Sequence, residues 1–508
     1  MLVFGGIIMY VNNKAIIAKG KDFINLNLNM LNRHGIITGA TGTGKTITLK
    51  VIAETLSKAG IPTIITDVKG DLSGCARPGV DSEALQKRFK KLGIENFEFS
   101  RFPVRFWDVF GEVGHPIRIT VSNMGPSLLS RVLGLSDAQE GILNIVFKIA
   151  DDKGMELIDL KDLKGMLQYI GEHAKDFQMD YGNITNASVS TILRKLLSIE
   201  QENGEMLFGE PSLDINDLMK KSEESGQGYL NIIEVNELIK NPTLYATFLV
   251  WLLSSFYELL PEVGDLDKPK AVLFLDEAHL IFSEMNENIV KKLTQVIKLI
   301  RSKGIGVFFI SQLPSDIPDD ILNQLGTRIQ HCLRAYTPKE LKAVKVAAES
   351  FRENKEFNTE EAILELVTGE ALVSFIDETG KPSIVSRATI LPPQSLMSEI
   401  SKEEIKDIVK NGSMEMKYRN IIDRETAFEK LEDINEEIRK QKEEDLRIQE
   451  EAKKKEKEEK EKKRLKRESK ENESELSKSV KKVANSFMTS IGRQLGNAII
   501  RGILGTKK

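Results

Sequence analysis

Cysteine is nearly missing from this chain: Cys75 and Cys332 are the only two in 508 residues, and no C-x-x-C pairing joins them. That excludes a disulfide framework and a cysteine-rich metal site, and it fits a reducing compartment such as the cytoplasm. Long apolar runs are missing as well. None reaches the roughly 18 residues a spanning helix needs. The opening Met1-Leu-Val-Phe-Gly-Gly-Ile-Ile-Met9 lacks the basic start and small-residue cleavage site of a leader, and Met9 is as good an initiator as Met1. A dominant charge sign is also absent. Lys+Arg number 72 against 76 Asp+Glu, a formal net charge of -4, which leaves the partner open because a basic channel can coexist with acidic surface. No stretch ahead of residue 392 combines a dense Lys/Arg run with interleaved aromatics, so the residues themselves do not announce a nucleic-acid face.

What is present centres on Gly39-Ala40-Thr41-Gly42-Thr43-Gly44-Lys45-Thr46, a full G-x-x-x-x-G-K-[ST] loop. An apolar run at 35–38 precedes it and a helix-like run at 47–59 follows, the strand–loop–helix context of a nucleotide site. The glycines let successive backbone N–H groups point at phosphates, and the helix N-terminus adds positive field. Lys45 would reach the β- and γ-phosphates of ATP, and the Thr46 hydroxyl would ligate Mg²⁺. A second apolar run at 61–67 ends in Asp67 and completes a βαβ unit. Asp67 reads equally as a turn cap or as a contact behind the nucleotide.

Strand texture fades between about 77 and 268, where helical spacing predominates at 127–149, 158–169, 189–200 and 244–260. The reading is a mostly helical insertion, with His115 and His173 lacking metal-ligand spacing. Core texture returns in Ala271-Val-Leu-Phe-Leu-Asp-Glu-Ala-His279. Asp276 would hold the Mg²⁺ shell and Glu277 would polarise the attacking water. An amphipathic helix at 289–303 leads into the apolar run 304–311, and Gln312 follows where an amide can sense a γ-phosphate. Runs at 327–333, 370–375 and 384–390 would finish the sheet.

The expected organisation is short strands over 1–34, an α/β core over 35–392, a charged helical or disordered spacer over 393–480 and a basic amphipathic segment over 481–508. Residues 431–470 hold 15 basic and 14 acidic residues, 29 charged of 40, with no persistent a/d heptad. The last 28 residues carry six basic and no acidic side chains, with apolar residues at helical spacing. DNA phosphates, an anionic membrane and a protein groove are all compatible with it.

With these motifs placed, the chain resembles the bacterial HerA-like branch of the HerA and FtsK superfamily of ATPases. The likeness covers about 30–392 and is closest in Arg33 to Thr46, in Phe274-Leu-Asp-Glu-Ala-His279 and in Ile300-Arg-Ser-Lys-Gly304. It implies a RecA-like ATPase core with bound ATP and Mg²⁺, a homo-hexameric ring, and DNA translocation or helicase-like activity. The resemblance also implies that Arg301 is the finger offered to a neighbour's γ-phosphate, although an exposed helix face accounts for the same residue. A DEAH-box reading of Asp276 to His279 lacks its Ser-Ala-Thr motif and second motor domain. Archaeal relatives are expected to carry an N-terminal β-barrel that contacts a nuclease; little chain precedes the loop here, so nuclease partnership is not carried over. The rival class is an ATP-dependent assembly or secretion-type factor acting on protein or membrane.

Overall fold

A computed structural model describes residues 9–503 except 12, 265, 285 and 286, with side chains undescribed also at 283–284, 468–476 and 486–503. The reading of residues 1–8, and the side-chain pattern expected near the C-terminus, lie outside the described residues.

Among the described residues thirteen strands form one sheet: β1 (Tyr10–Val11), β2 (Lys14–Lys19), β3 (Phe23–Leu26), β4 (Gly35–Thr38), β5 (Thr63–Asp67), β6 (Val104–Asp108), β7 (His115–Pro116), β8 (Leu230–Glu234), β9 (Ala271–Leu275), β10 (Ile305–Ser311), β11 (Thr327–Gln330), β12 (Glu370–Ser374) and β13 (Ser386–Ile390). Their order is β1-β2-β13-β12-β11-β4-β10-β9-β5-β8-β6-β7, with β3 paired to β2. From β11 to β7 every pairing is parallel, and from β12 to β1 every pairing is antiparallel. The centre is parallel because β4, β5, β9 and β10 are buried along their whole length, and apolar strands covered on both faces suit crossover connections. Gly35 belongs to this packing, since a Cβ there would lie 2.3 Å from the Phe308 ring.

The strand order decides the site. β10 stands between β4, which feeds the phosphate loop, and β9, which carries the acidic pair. All three run in the same direction, so Gly39, Gln312 and Asp276 emerge at one edge, the carboxyl edge where such sheets bind ligands.

The region 77–268 is not a plain helical insertion. It returns three times to the sheet, as β6, β7 and β8, and all three extend it beyond β5. Between β7 and β8 the helices Val121–Val132, Asp137–Asp152, Leu160–Glu172 and Asn186–Gln201 form a layer. The helix Pro242–Leu259 is buried almost all round and packs on Glu287–Ile300, whose apolar stripe faces inward as its spacing predicts.

The expected spacer boundary at 393 also moves. The compact unit continues to Leu431, with Ile405, Val409, Tyr418 and Ala427 buried. The polar composition of 394–431 hid this, because much of its attachment is made by hydrogen bonds. Beyond it, Ala427–Ile503 is one helix. Residues 432–503 form a unit of their own, braced by pairs such as Glu436–Lys440 (2.8 Å) and Glu456–Lys460 (2.7 Å). No helix among the described residues is long and apolar enough to cross a membrane.

Candidate active site

The phosphate loop is staked on three sides by main-chain bonds. Gly39 N–H donates to Gln312 O (3.2 Å), Ala40 N–H to Cys332 O (2.9 Å), and Gly369 N–H to Thr43 O (3.0 Å). Gly42 and Gly44 have φ of 78° and 113°, values that side chains rarely tolerate. At Gly39 a Cβ would meet the His331 Cβ at 2.5 Å. The helix Lys45–Lys58 starts directly from the loop, so its free N–H groups point at the same space. Lys45 is buried, with Nζ donating to Gly39 O (2.7 Å) and Ala40 O (3.3 Å). Burial lowers its ammonium below the ordinary value, against the pull of Glu277 and Asp276.

Asp276 and Glu277 leave the end of β9. The Asp276 N–H donates to Thr66 Oγ1 (3.0 Å), and Asp276 Oδ1 accepts the Glu277 N–H (2.9 Å). Burial, then the neighbouring Glu277 charge, push the Asp276 carboxyl up to about 7. Glu277 sits at φ 46°, one of four described non-glycine residues with positive φ. Its Oε1 accepts from Lys69 Nζ at 2.7 Å. Its Oε2 lies 3.3 Å from His279 Nδ1 without forming a hydrogen bond.

Gln312 is brought to the loop by its own carbonyl, and its side chain is exposed at the β10 tip. Asp316 fixes that tip by accepting from Ser311 Oγ (2.6 Å) and Leu313 N (2.8 Å). Asp67 proves to be a turn cap: Oδ1 accepts from Lys69 N (3.1 Å) and Gly70 N (2.8 Å), and Oδ2 from Leu72 N (3.1 Å). Burial and then Asp71 raise its carboxyl to about 6. Arg301 is not assembled with the others. It lies exposed in the turn Arg301–Lys303 ahead of β10, at the opposite edge of the sheet. A strand the length of β10 separates it from Gln312, roughly 20 Å at the usual rise per residue.

Three further residues of the site carry no local sequence signal. His331, at the exit of β11, accepts from Thr48 Oγ1 through Nε2 (2.8 Å) and donates through Nδ1 to Glu370 O (2.9 Å), an assignment fixed by the carbonyl acceptor. Burial lowers its pKa to about 4, so it is the neutral ring that braces the loop helix. Lys69 and Asp71 stand on the turn that Asp67 caps, and burial raises the Asp71 carboxyl against the pull of the Lys69 and Lys50 charges and the nearby Thr46 side chain.

The donor set fits Mg²⁺. Thr46 offers a hydroxyl and Asp276 a carboxylate that lies buried beside a second negative charge, and hard oxygen ligands with room for water and phosphate suit that ion.

The strand order and the loop geometry define a P-loop fold of the RecA-like kind. The family described as helicase HerA-like C-terminal matches residues 13–508, and the chain belongs to that family. Among similar proteins, the DNA double-strand break repair helicase HerA of Sulfolobus acidocaldarius is 21% identical over 354 residues, 69% of this chain and 64% of that protein. HerA of Sulfurisphaera tokodaii is 23% identical over 371 residues, again 69% and 64%. The chain thus spans just under two thirds of the length of these relatives. A solved bacterial conjugative coupling protein, TrwBdeltaN70, aligns with TM-score 0.50 and 14% identity over 75% of this chain and 89% of its own, a likeness of fold.

Proposed function

We propose that the protein is an ATP-hydrolysing motor of the HerA/FtsK type that acts on DNA as a translocase or helicase-like enzyme in the cytoplasm. The observation that carries this reading is the convergence of Lys45, Gln312 and the Asp276-Glu277 pair at one edge of three adjacent parallel strands. In this reading the loop N–H groups from Gly39 to Thr46 bind phosphate, and Lys45 leaves the Gly39 and Ala40 carbonyls to meet it. Thr46 and Asp276 hold Mg²⁺, which supplies neutralisation of developing phosphate charge. Glu277 takes the proton from water, and Gln312 hydrogen-bonds the γ-phosphate. Arg301, distant from its own loop, serves a neighbouring subunit in a homo-hexamer. DNA as the partner is supported by the HerA relatives, which are DNA double-strand break repair helicases. ATPase activity titrated with single- and double-stranded DNA at two salt concentrations tests it. Stimulation that weakens with salt is the expected result. Hydrolysis indifferent to DNA would favour a protein or membrane partner reached through the basic C-terminal segment.

A further inference from the structure

Glu277, the residue read as the base, is not free to act in this arrangement. Its Oε1 is held by Lys69 Nζ at 2.7 Å, its side chain is 9% exposed and its backbone is in the left-handed region. A carboxylate in contact with an ammonium is a weaker base than an unpaired one, and a strained backbone at a reacting residue is a reason to look for a second state. The turn that presents Lys69 is rigid, since three N–H groups converge on the Asp67 carboxylate. The Lys69 side chain is different: it is 45% exposed and can swing.

The same turn supplies a second acceptor. Asp71, two residues on, also acts on the Lys69 charge, and its Oδ1 is buried with no hydrogen-bond partner. Besides Glu277, which it bonds, Lys69 feels the charges of Asp276 and Asp71, and of these two Asp71 stands on its own turn with a buried oxygen that lacks a hydrogen-bond partner. Because β5 and β9 are adjacent and parallel, the swing needs no movement of the sheet.

We propose that Lys69 is a positioning residue that restrains Glu277, and that transfer of its ammonium to Asp71 releases the base for hydrolysis. This rests on the ATPase reading above. Removal of the restraint is therefore expected to raise basal turnover.

The test uses the full chain with Lys69→Met and Lys69→Gln, which remove the charge, and Lys69→Arg, which keeps it. Steady-state ATP hydrolysis without DNA is measured beside nucleotide affinity and thermal melting. Both neutral variants should raise kcat about two- to fivefold, the worth of a half-exposed ion pair, with KM for ATP unchanged. Lys69→Arg should behave as wild type, and adding Glu277→Gln to Lys69→Met should abolish the gain. A fall in kcat, no change in kcat, or a rise in KM would overturn the restraint; the last would make Lys69 a phosphate contact. Unfolding of both neutral variants while Lys69→Arg folds would reduce the pair to a structural one and overturn it too. Absence of hydrolysis by the wild type would instead remove the ATPase reading itself.

Discussion

Glu54, fully buried on the phosphate-loop helix, accepts the backbone N–H of Gln394 at 2.7 Å. It also takes the N–H of Ser395 at 3.2 Å and the Ser395 hydroxyl. One carboxylate thus ties the helix Lys45–Lys58 to the start of the segment whose composition suggested a free spacer. Burial raises its pKa, partly offset by these donors. Removing the donors would leave a buried carboxylate without partners, which is costly.

Truncation separates the two possible boundaries. We predict that a stop after Arg439 keeps a cooperative thermal transition and basal hydrolysis, whereas a stop after Pro393 loses both. The shorter chain forfeits Tyr418, whose ring centroid lies 5.3 Å from that of Trp107, and the Thr426 and Phe428 bonds to Asp162 (2.6 and 2.9 Å). Burial of Ile405, Val409 and Tyr418 alone is worth about 2 kcal/mol each. A folded, active chain ending at Pro393 would contradict this account.

The proposed mechanism gives Lys45 and Glu277 different work on one nucleotide. Lys45→Ala is expected to abolish nucleotide binding. Glu277→Gln should bind as wild type does while turnover falls by about 10²- to 10⁴-fold, the usual worth of a general base. Binding by fluorescent nucleotide and turnover by phosphate release check both, and equal loss of binding in the two variants would refute the assigned roles.

The position of Arg301 at the far edge of the sheet makes a prediction about assembly. Arg301→Ala should retain ATP binding and lose about 10³-fold or more in turnover, as arginine fingers do. Mixing it with Glu277→Gln should restore part of the activity, because some interfaces then pair an intact Glu277 with an intact Arg301. No recovery in mixtures shown to exchange subunits, or full activity in a monomer, would remove the role in trans.

His331 gives stability a pH dependence with a definite sign. Its folded value is about 4 against an ordinary 6.5, so the unfolded chain takes up the proton first and stability falls as pH drops from about 6.5 towards 4. At about 1.4 kcal/mol per unit the loss is on the order of 3 kcal/mol. His34, buried and also lowered to about 4, acts in the same direction. Asp67 and Asp276, whose pKa values are raised, act in the opposite one. Comparing urea melts of wild type and His331→Gln at pH 7, 6 and 5 isolates the one ring, since the other groups are common to both. The variant should lose less stability on acidification, and parallel curves would show that His331 titrates normally.

Much of the candidate site could be read directly because its parts are local. The phosphate loop, the apolar run into Asp276-Glu277 and the run into Gln312 each carry motif and burial in one stretch. β6 and β8 escaped because polar side chains interrupt them. Asn231 in β8 is buried, yet its amide donates to Thr63 O (3.1 Å) and Leu218 O (2.8 Å) and accepts from Trp107 Nε1 (3.1 Å). Arg105 in β6 is likewise buried, donating to Asp217 O (2.8 Å) with its guanidinium 3.7 Å from the Tyr229 ring. Periodicity cannot foresee a polar residue whose partners come from other elements. Lys69 escaped for the same reason: Glu277 is 208 residues away.

The scarcity of cysteine acquires a use once the two thiols are placed. Cys75 is buried, and burial pushes its thiol up to about 12, so it is a poor nucleophile. Cys332 is only half-buried, and its carbonyl receives the Ala40 N–H of the phosphate loop. Because Cys75 is buried and Cys332 partly exposed, a thiol-reactive dye applied to the unaltered protein is expected to label position 332 first, one hydrogen bond away from the phosphate loop.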